Sequence, residues 1–237
     1  MLRLLKAVAL SMWAMPLAAQ ELTDAVGNAL LHVIAHEAGH AVLREFDLPI
    51  LGPEEDIAED FATAFIYLTL PDRAEAIIEA RAAQHLADGD TPGPFSEYRP
   101  DVQRAGRMVC LLYGFDPERF SDLAARNGMS DDARRACADF APELLRSWRR
   151  TLAPLWIDET ARVTEVGLTV DPDLQAVAAD NAEWGRVVLS KMARIFCQSR
   201  SRQELTQCDG SAGWRRNGRE IFLCSGYIDR ITAQLAP

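Results

Sequence analysis

A chain of 237 residues, 49% apolar and 25% charged, carries enough apolar side chain for one core of domain size and too much for a disordered segment. Its formal net charge of −10 argues against nucleic acid and anionic membranes as partners, because both would repel it. Residues 1–20 place Arg3 and Lys6 ahead of an apolar run and end on Ala18 and Ala19, the pattern of a secretory signal peptide cleaved after Ala19. The apolar run is too short to span a bilayer, which takes about 20 residues. Removing Arg3 and Lys6 takes the formal charge from −10 to −12. The expected organisation is a signal peptide over 1–19 and one domain over 20–237, with 154–237 set off as a smaller α+β part. The mature protein is expected to be periplasmic or secreted, without a stable membrane anchor.

In chain order, residues 24–46 read as one long amphipathic helix and 47–53 as a short turn holding two prolines. A second helix is expected over 54–70, with Pro53 near its first turn and acids at the positive end of its dipole. Its later residues, Phe61, Ala62, Phe65, Ile66 and Leu68, point to burial. A third helix is expected over 71–87, then a Gly- and Pro-rich loop over 88–100, then helices over 102–113, 117–127 and 131–152. Beyond Pro154 the character shifts. Residues 160–170 carry β-branched side chains and suit a strand, 172–196 return to helix, and 208–224 place turn residues around Asp209, Gly210 and Gly213 before a short strand over 220–223. The fold class is therefore mainly α with a small β element.

Chemistry concentrates in the first helix. His36-Glu37-Ala38-Gly39-His40 is an HExxH motif inside an apolar stretch. On a helix, side chains four apart share a face, so His36 and His40 can point at one metal ion. Glu37 is offset by about 100° and reaches beside the metal, where an attacking water would be activated. Two imidazoles and a carboxylate without partners would be costly to bury, so the apolar setting favours a metal. A catalytic zinc takes three protein ligands and keeps one position open. Glu55 and Glu59, four apart at the start of the second helix, are the nearest acids. One can bind the metal while the other accepts a hydrogen bond from a ligand histidine; Asp56 between them is a further candidate ligand.

These segments together resemble a known family. HEAGHAV, DLPILGPEEDIAEDFA and YRPDVQRAGRMVCLLYGFDPERF are similar to the bacterial putative-metallopeptidase family labelled a domain of unknown function. The likeness runs on through residues 133–152 and weakens over 157–200. In motif order this family is similar to gluzincins, zincins in which an acidic helix motif follows HExxH. The resemblance implies a zincin-like helical active-site core in which zinc is held by His36, His40 and Glu55, with Glu59 as the acid behind a ligand histidine and Glu37 as general base. Where the family carries a His ahead of its Gln-Arg pair, this chain has Tyr98 ahead of Gln103 and Arg104. Tyr98 is therefore the expected donor to the oxyanion, with Arg104 orienting it or adding positive charge. Where the family tends to Cys-Tyr-Glu near its end, this chain has Cys224, Ser225 and Gly226.

Five cysteines in a secreted chain suggest disulfides, and family-like placement suggests Cys110–Cys137 and Cys208–Cys224, with Cys197 left as a thiol. His32, one turn before His36, reads as a packed or half-exposed residue, and His85 as part of a solvated face. Trp148, Trp156, Trp184 and Trp214 read as core, and neither Ser147 nor Ser211 sits in a nucleophile elbow. The expected function is a secreted or periplasmic zinc metallopeptidase acting on peptides or proteins. The competing expectation is a zinc-binding envelope protein without turnover on a degenerate peptidase fold.

Overall fold

The computed structural model describes residues 23–155, 167–170, 202–206, 212–215, 217 and 220–236. The sequence assignments over 1–19, 160–166 and 172–196 lie outside these. Helix α1 (Asp24–Glu45) starts at Thr23, whose hydroxyl accepts from the Val26 N–H, with Asp24 in its first turn and Arg44 in its last, both favourable to the helix dipole. Its side chains are buried without a break from Val26 to Leu43. That corrects the amphipathic reading. α1 is covered on all sides, by α2 (Glu54–Thr69), α3 (Ala74–Asp88), two strands (Ala212–Arg215 and Glu220–Cys224) and the last helix, so it presents no solvent face.

A short 3-10 turn (Pro71–Arg73) leads into α3, which ends at Gly89 in the left-handed region (φ 62°), where glycine closes the helix without strain. Helices α4 (Asp101–Phe115), α5 (Ser121–Arg126) and α6 (Asp131–Leu152) follow. α4 packs on α3 on one side and on α6 on the other. The α4–α6 contact is close: a Cβ on Gly114 would lie 2.2 Å from the Cys137 carbonyl oxygen. The disulfide Cys110–Cys137 joins the same two helices.

Four strands form one sheet: β1 (Gly167–Val170), β2 (Arg202–Thr206), β3 (Ala212–Arg215) and β4 (Glu220–Cys224), in the order β1-β2-β4-β3. β1–β2 and β2–β4 are parallel, whereas β3–β4 is antiparallel. Two of these strands depart from the sequence expectation. β2 was not foreseen, and the residues around Gly213, read as turn, form β3. Gly213 pairs with Phe222, and the Phe222 ring fills the space a Cβ would take, 2.6 Å from that position. The ring shelters a glycine whose composition signal is that of a turn. Cys224 is disulfide-bonded, and its partner lies outside the described residues, as do Cys197 and Cys208. A final helix, α7 (Ser225–Gln234), also unforeseen, buries Tyr227, Ile228 and Ile231 against α1 and α3.

Candidate active site

The site forms where the middle of α1 meets the first turn of α2. Gly39, between the two motif histidines, permits this approach: a Cβ there would lie 3.1 Å from Ala58 Cα and 3.0 Å from Phe61 Cδ1. The acids of α2 therefore lie directly against the histidines of α1. His36 Nε2 is 3.1 Å from His40 Nε2 and 3.2 Å from Glu55 Oε2, and His40 Nε2 is 3.4 Å from Glu55 Oε1. Donors about 2.0–2.1 Å from a tetrahedral metal ion stand about 3.3–3.4 Å apart, and the two imidazole nitrogens, each facing one oxygen of Glu55, lie near that spacing. Among the described residues these three are the one group of His, Cys, Asp and Glu side chains converging in this way.

The far nitrogens of both rings face carboxylates. His40 Nδ1 lies 2.7 Å from Glu54 Oε1, and His36 Nδ1 lies 3.3 Å from Glu59 Oε2, the latter without hydrogen-bonding alignment. A carboxylate at Nδ1 holds the proton there and turns the Nε2 lone pair toward the convergence point, as in metal-ligating histidines. Glu54 is also fixed by Arg44 Nε at 2.8 Å. Glu59 accepts from Arg104 at 2.6 Å and lies 3.4 Å from His85 Nε2. Glu54 went unnoticed in the sequence, where a helix-opening acid reads as a dipole partner.

The electrostatics describe a site that demands a cation. Burial opposes a charged His36, but Glu55 and Glu59 outweigh it and raise the ring to about 9. His40 is likewise raised, against burial, chiefly by Glu55. Burial works upward on Glu55, yet the two imidazoles hold its carboxyl well below the usual range. Protons on the imidazoles thus supply the positive charge that the acids require, and a divalent ion would displace them. Glu37 is buried beside the histidines, and burial pushes its carboxyl upward, as suits a proton acceptor working near neutral pH.

His85 corrects the sequence reading. It is 2% exposed, not solvated, and its Nδ1 lies 2.7 Å from Asp101 Oδ1. Asp101 also accepts from the Asp90 N–H at 2.9 Å, closing the neck of the loop over residues 90–100. Arg99 staples the same loop to α2 by bonding both oxygens of Asp56, at 2.7 and 2.8 Å. Asp56 is thereby engaged away from the histidines. Tyr98 rides on this loop and lines the same cleft as His36, Glu37 and Glu55. Burial, then the charge of Glu55 and a hydrogen bond with it, push the Tyr98 hydroxyl up to about 12. Arg104 lies 5.6 Å from the Tyr98 ring centre, so it touches both Tyr98 and Glu59. His32 is fully buried with neither ring nitrogen bonded, and burial holds it neutral, well below the ordinary value.

The cleft has a volume of about 800 Å³ and runs from the histidines along α3 to β3 and α7, where Arg81, Trp214, Tyr227 and Arg230 line it. The expectation of Trp214 as core is thus modified: it borders the cleft while packing on the core.

A family model described as "Putative metallopeptidase" matches residues 6–152, a span that includes His36, Glu37, His40, Glu55, Tyr98 and Arg104. No curated protein and no solved structure matches the chain.

Proposed function

Since the chain belongs to the family described as "Putative metallopeptidase", we propose that it is a zinc-dependent peptidase that hydrolyses peptide bonds outside the cytoplasm. The observation that carries this reading is the convergence of His36 Nε2, His40 Nε2 and the Glu55 carboxylate: the two nitrogens lie 3.1 Å apart and each meets one Glu55 oxygen, at 3.2 and 3.4 Å, so that one donor atom from each residue lies within 4.8 Å of the others. Two imidazoles and one carboxylate suit zinc, whereas magnesium and calcium favour all-oxygen sets. Among the described residues the disulfide Cys110–Cys137 suits an oxidising compartment, and no helix is long and apolar enough to cross a membrane.

The roles follow from position. His36, His40 and Glu55 hold the ion, while Glu54 and Glu59 orient the two rings through Nδ1. Zinc, when bound, supplies Lewis acidity toward the scissile carbonyl and favours deprotonation of water near neutral pH. Glu37 accepts the proton of the attacking water and delivers it to the leaving amine. The Tyr98 hydroxyl donates to the oxygen that gains negative charge as the carbonyl carbon becomes tetrahedral. Arg104 keeps Glu59 ionised and braces the Tyr98 ring. The substrate is a peptide or protein, and nucleic acid is disfavoured by the acidic chain.

The test is metal analysis of the purified mature protein together with digestion of an unfolded protein. The expected result is one zinc per chain and peptide products, with hydrolysis lost and zinc retained in Glu37→Gln. Zinc without hydrolysis in the unaltered protein would instead favour a binding protein on a peptidase fold.

A further inference from the structure

The cleft holds a cation that the chemistry above does not use. Arg81 on α3 is 5% exposed and lines the cleft floor. A buried guanidinium ordinarily faces a carboxylate, because removing an unbalanced charge from water is costly. Among the described residues Arg81 faces none within ion-pair distance, although its charge reaches the Glu37 carboxylate. Its NH1 donates to the Gln84 side-chain oxygen and, at 3.2 Å, to the Tyr227 hydroxyl, while its Nε has no partner. Both acceptors are neutral. Gln84 in turn bonds Asp88, at the end of the same helix, whose carboxylate takes the Gln84 and Gln234 amides, each at 2.5 Å. A second cation adjoins: Arg230 lies 4.9 Å from the Tyr227 ring centre and lines the same cleft.

A fork-shaped cation that is preorganised, desolvated and without an ion-pair partner among the described residues is suited to receive a planar anion from a ligand. We propose that Arg81, held by Gln84 and Tyr227, is a carboxylate-binding subsite, and that the substrate is a peptide bearing a carboxylate near the bond to be cleaved. The carboxylate is either the C-terminus of the peptide or an Asp or Glu side chain. The surrounding chain is strongly acidic, with a formal charge of −10, so long-range attraction contributes nothing; recognition comes from the short-range fork.

This inference rests on the peptidase reading, and the experiment separates the two. The zinc-loaded mature Glu37→Gln protein is titrated calorimetrically with one short peptide in four forms. Two carry a neutral side chain at every position and end in a free carboxylate or an amide. Two end in an amide and carry an internal Glu or Gln. At least one carboxylate form is expected to bind about tenfold or more tighter than its neutral counterpart, and which one does so identifies the source. Adding Arg81→Met should abolish the difference. Arg81→Lys, which keeps the charge and loses the fork, should shrink it and covers the case in which the methionine variant fails to fold. Binding of all four forms with equal affinity overturns the subsite, as does a preference that survives in either Arg81 variant at full size. Failure to bind any of the four overturns the peptidase reading itself.

Discussion

Substituting Gly39→Ala probes the contact that brings α2 onto the metal-binding face of α1. The added Cβ would stand 3.0 Å from Phe61 Cδ1, 3.1 Å from Ala58 Cα and 3.2 Å from the Ala58 carbonyl oxygen. The Phe61 ring has little room to turn, since Phe65 and Trp148 lie against it at 5.6 and 5.1 Å between centroids. The other two atoms are backbone, so relief requires α2 to move as a body by a few tenths of an ångström. Overpacking of this kind costs about 1–3 kcal/mol, and alanine returns about 1 kcal/mol of helix propensity. The net loss is therefore about 0–2 kcal/mol, and the protein should fold. Glu55 lies one turn before Ala58 and moves with it, whereas metal sites tolerate errors of only about 0.2 Å. Zinc affinity is expected to fall by about tenfold or more, similar to losing a partner of a ligand histidine. Chelator competition gives the affinity, and denaturant unfolding of the metal-free protein gives the stability. Gly114→Ala is the contrast, since its Cβ would stand 2.2 Å from the Cys137 carbonyl oxygen and should cost stability without acting selectively on the metal. An unchanged zinc affinity in Gly39→Ala would refute the claim that this helix approach sets the ligand geometry.

Glu59→Gln removes the charge shared by His36, His85 and Arg104, and zinc affinity should drop by about 10–100-fold; wild-type affinity in the same competition assay would deny Glu59 that role. Tyr98→Phe should keep zinc but slow peptide cleavage by about 10²–10³-fold, and undiminished turnover would take Tyr98 out of the mechanism. Replacing Cys110 and Cys137 together by Ser reopens a loop with a sequence separation of 27, which loop-closure entropy places at about 3.5 kcal/mol of stability. A shift under about 1 kcal/mol in denaturant unfolding would contradict that figure. Burial holds His32 below its ordinary value of 6.5, so the unfolded chain gains a proton below that pH that the folded chain refuses. The stability this confers is complete above pH 6.5 and is lost as pH falls below it, by up to about 1.4 kcal/mol per pH unit. Unfolding of the metal-free protein at two pH values on the acid side should show a shallower loss in His32→Leu, and parallel slopes would rule the effect out.

The part of the site that lies within one helix or across one short turn was legible because its spacing is local. His36 and His40 share a face through the helical period alone, and Glu55 and Glu59 open the next helix only a few residues on. Helix type was legible for the same reason from α1 to α6, although the helix expected over 117–127 forms only over Ser121–Arg126; the pairing of Cys110 with Cys137 was legible too, though that rested on resemblance rather than spacing. Of the β part, β1 and β4 fall where strands were expected, but β2 and β3 were not legible, because β2 is held between β1 and β4, β3 pairs with β4, and Gly213 needs the distant Phe222 ring to be at home in a strand. Nor could local pattern show that α1 is buried all round: His36 and His40 meet the acids of α2, Asn28 accepts from Arg73, and His32 is enclosed with neither ring nitrogen bonded. His85 was misread as solvated, and Arg81 drew no reading, for one cause. Both lie on a charged, Ala-rich helix whose solvated face is the better guess in isolation. Only the docking of α3 against α4 and α7 brings Asp101 to the one and Tyr227 to the other. The sequence alone thus determined the chemistry that a single helical repeat can encode, the metal-binding pair and its base. Tertiary packing decided which acid meets which ring, and which cation is left facing the cleft, since those contacts join residues far apart in the chain.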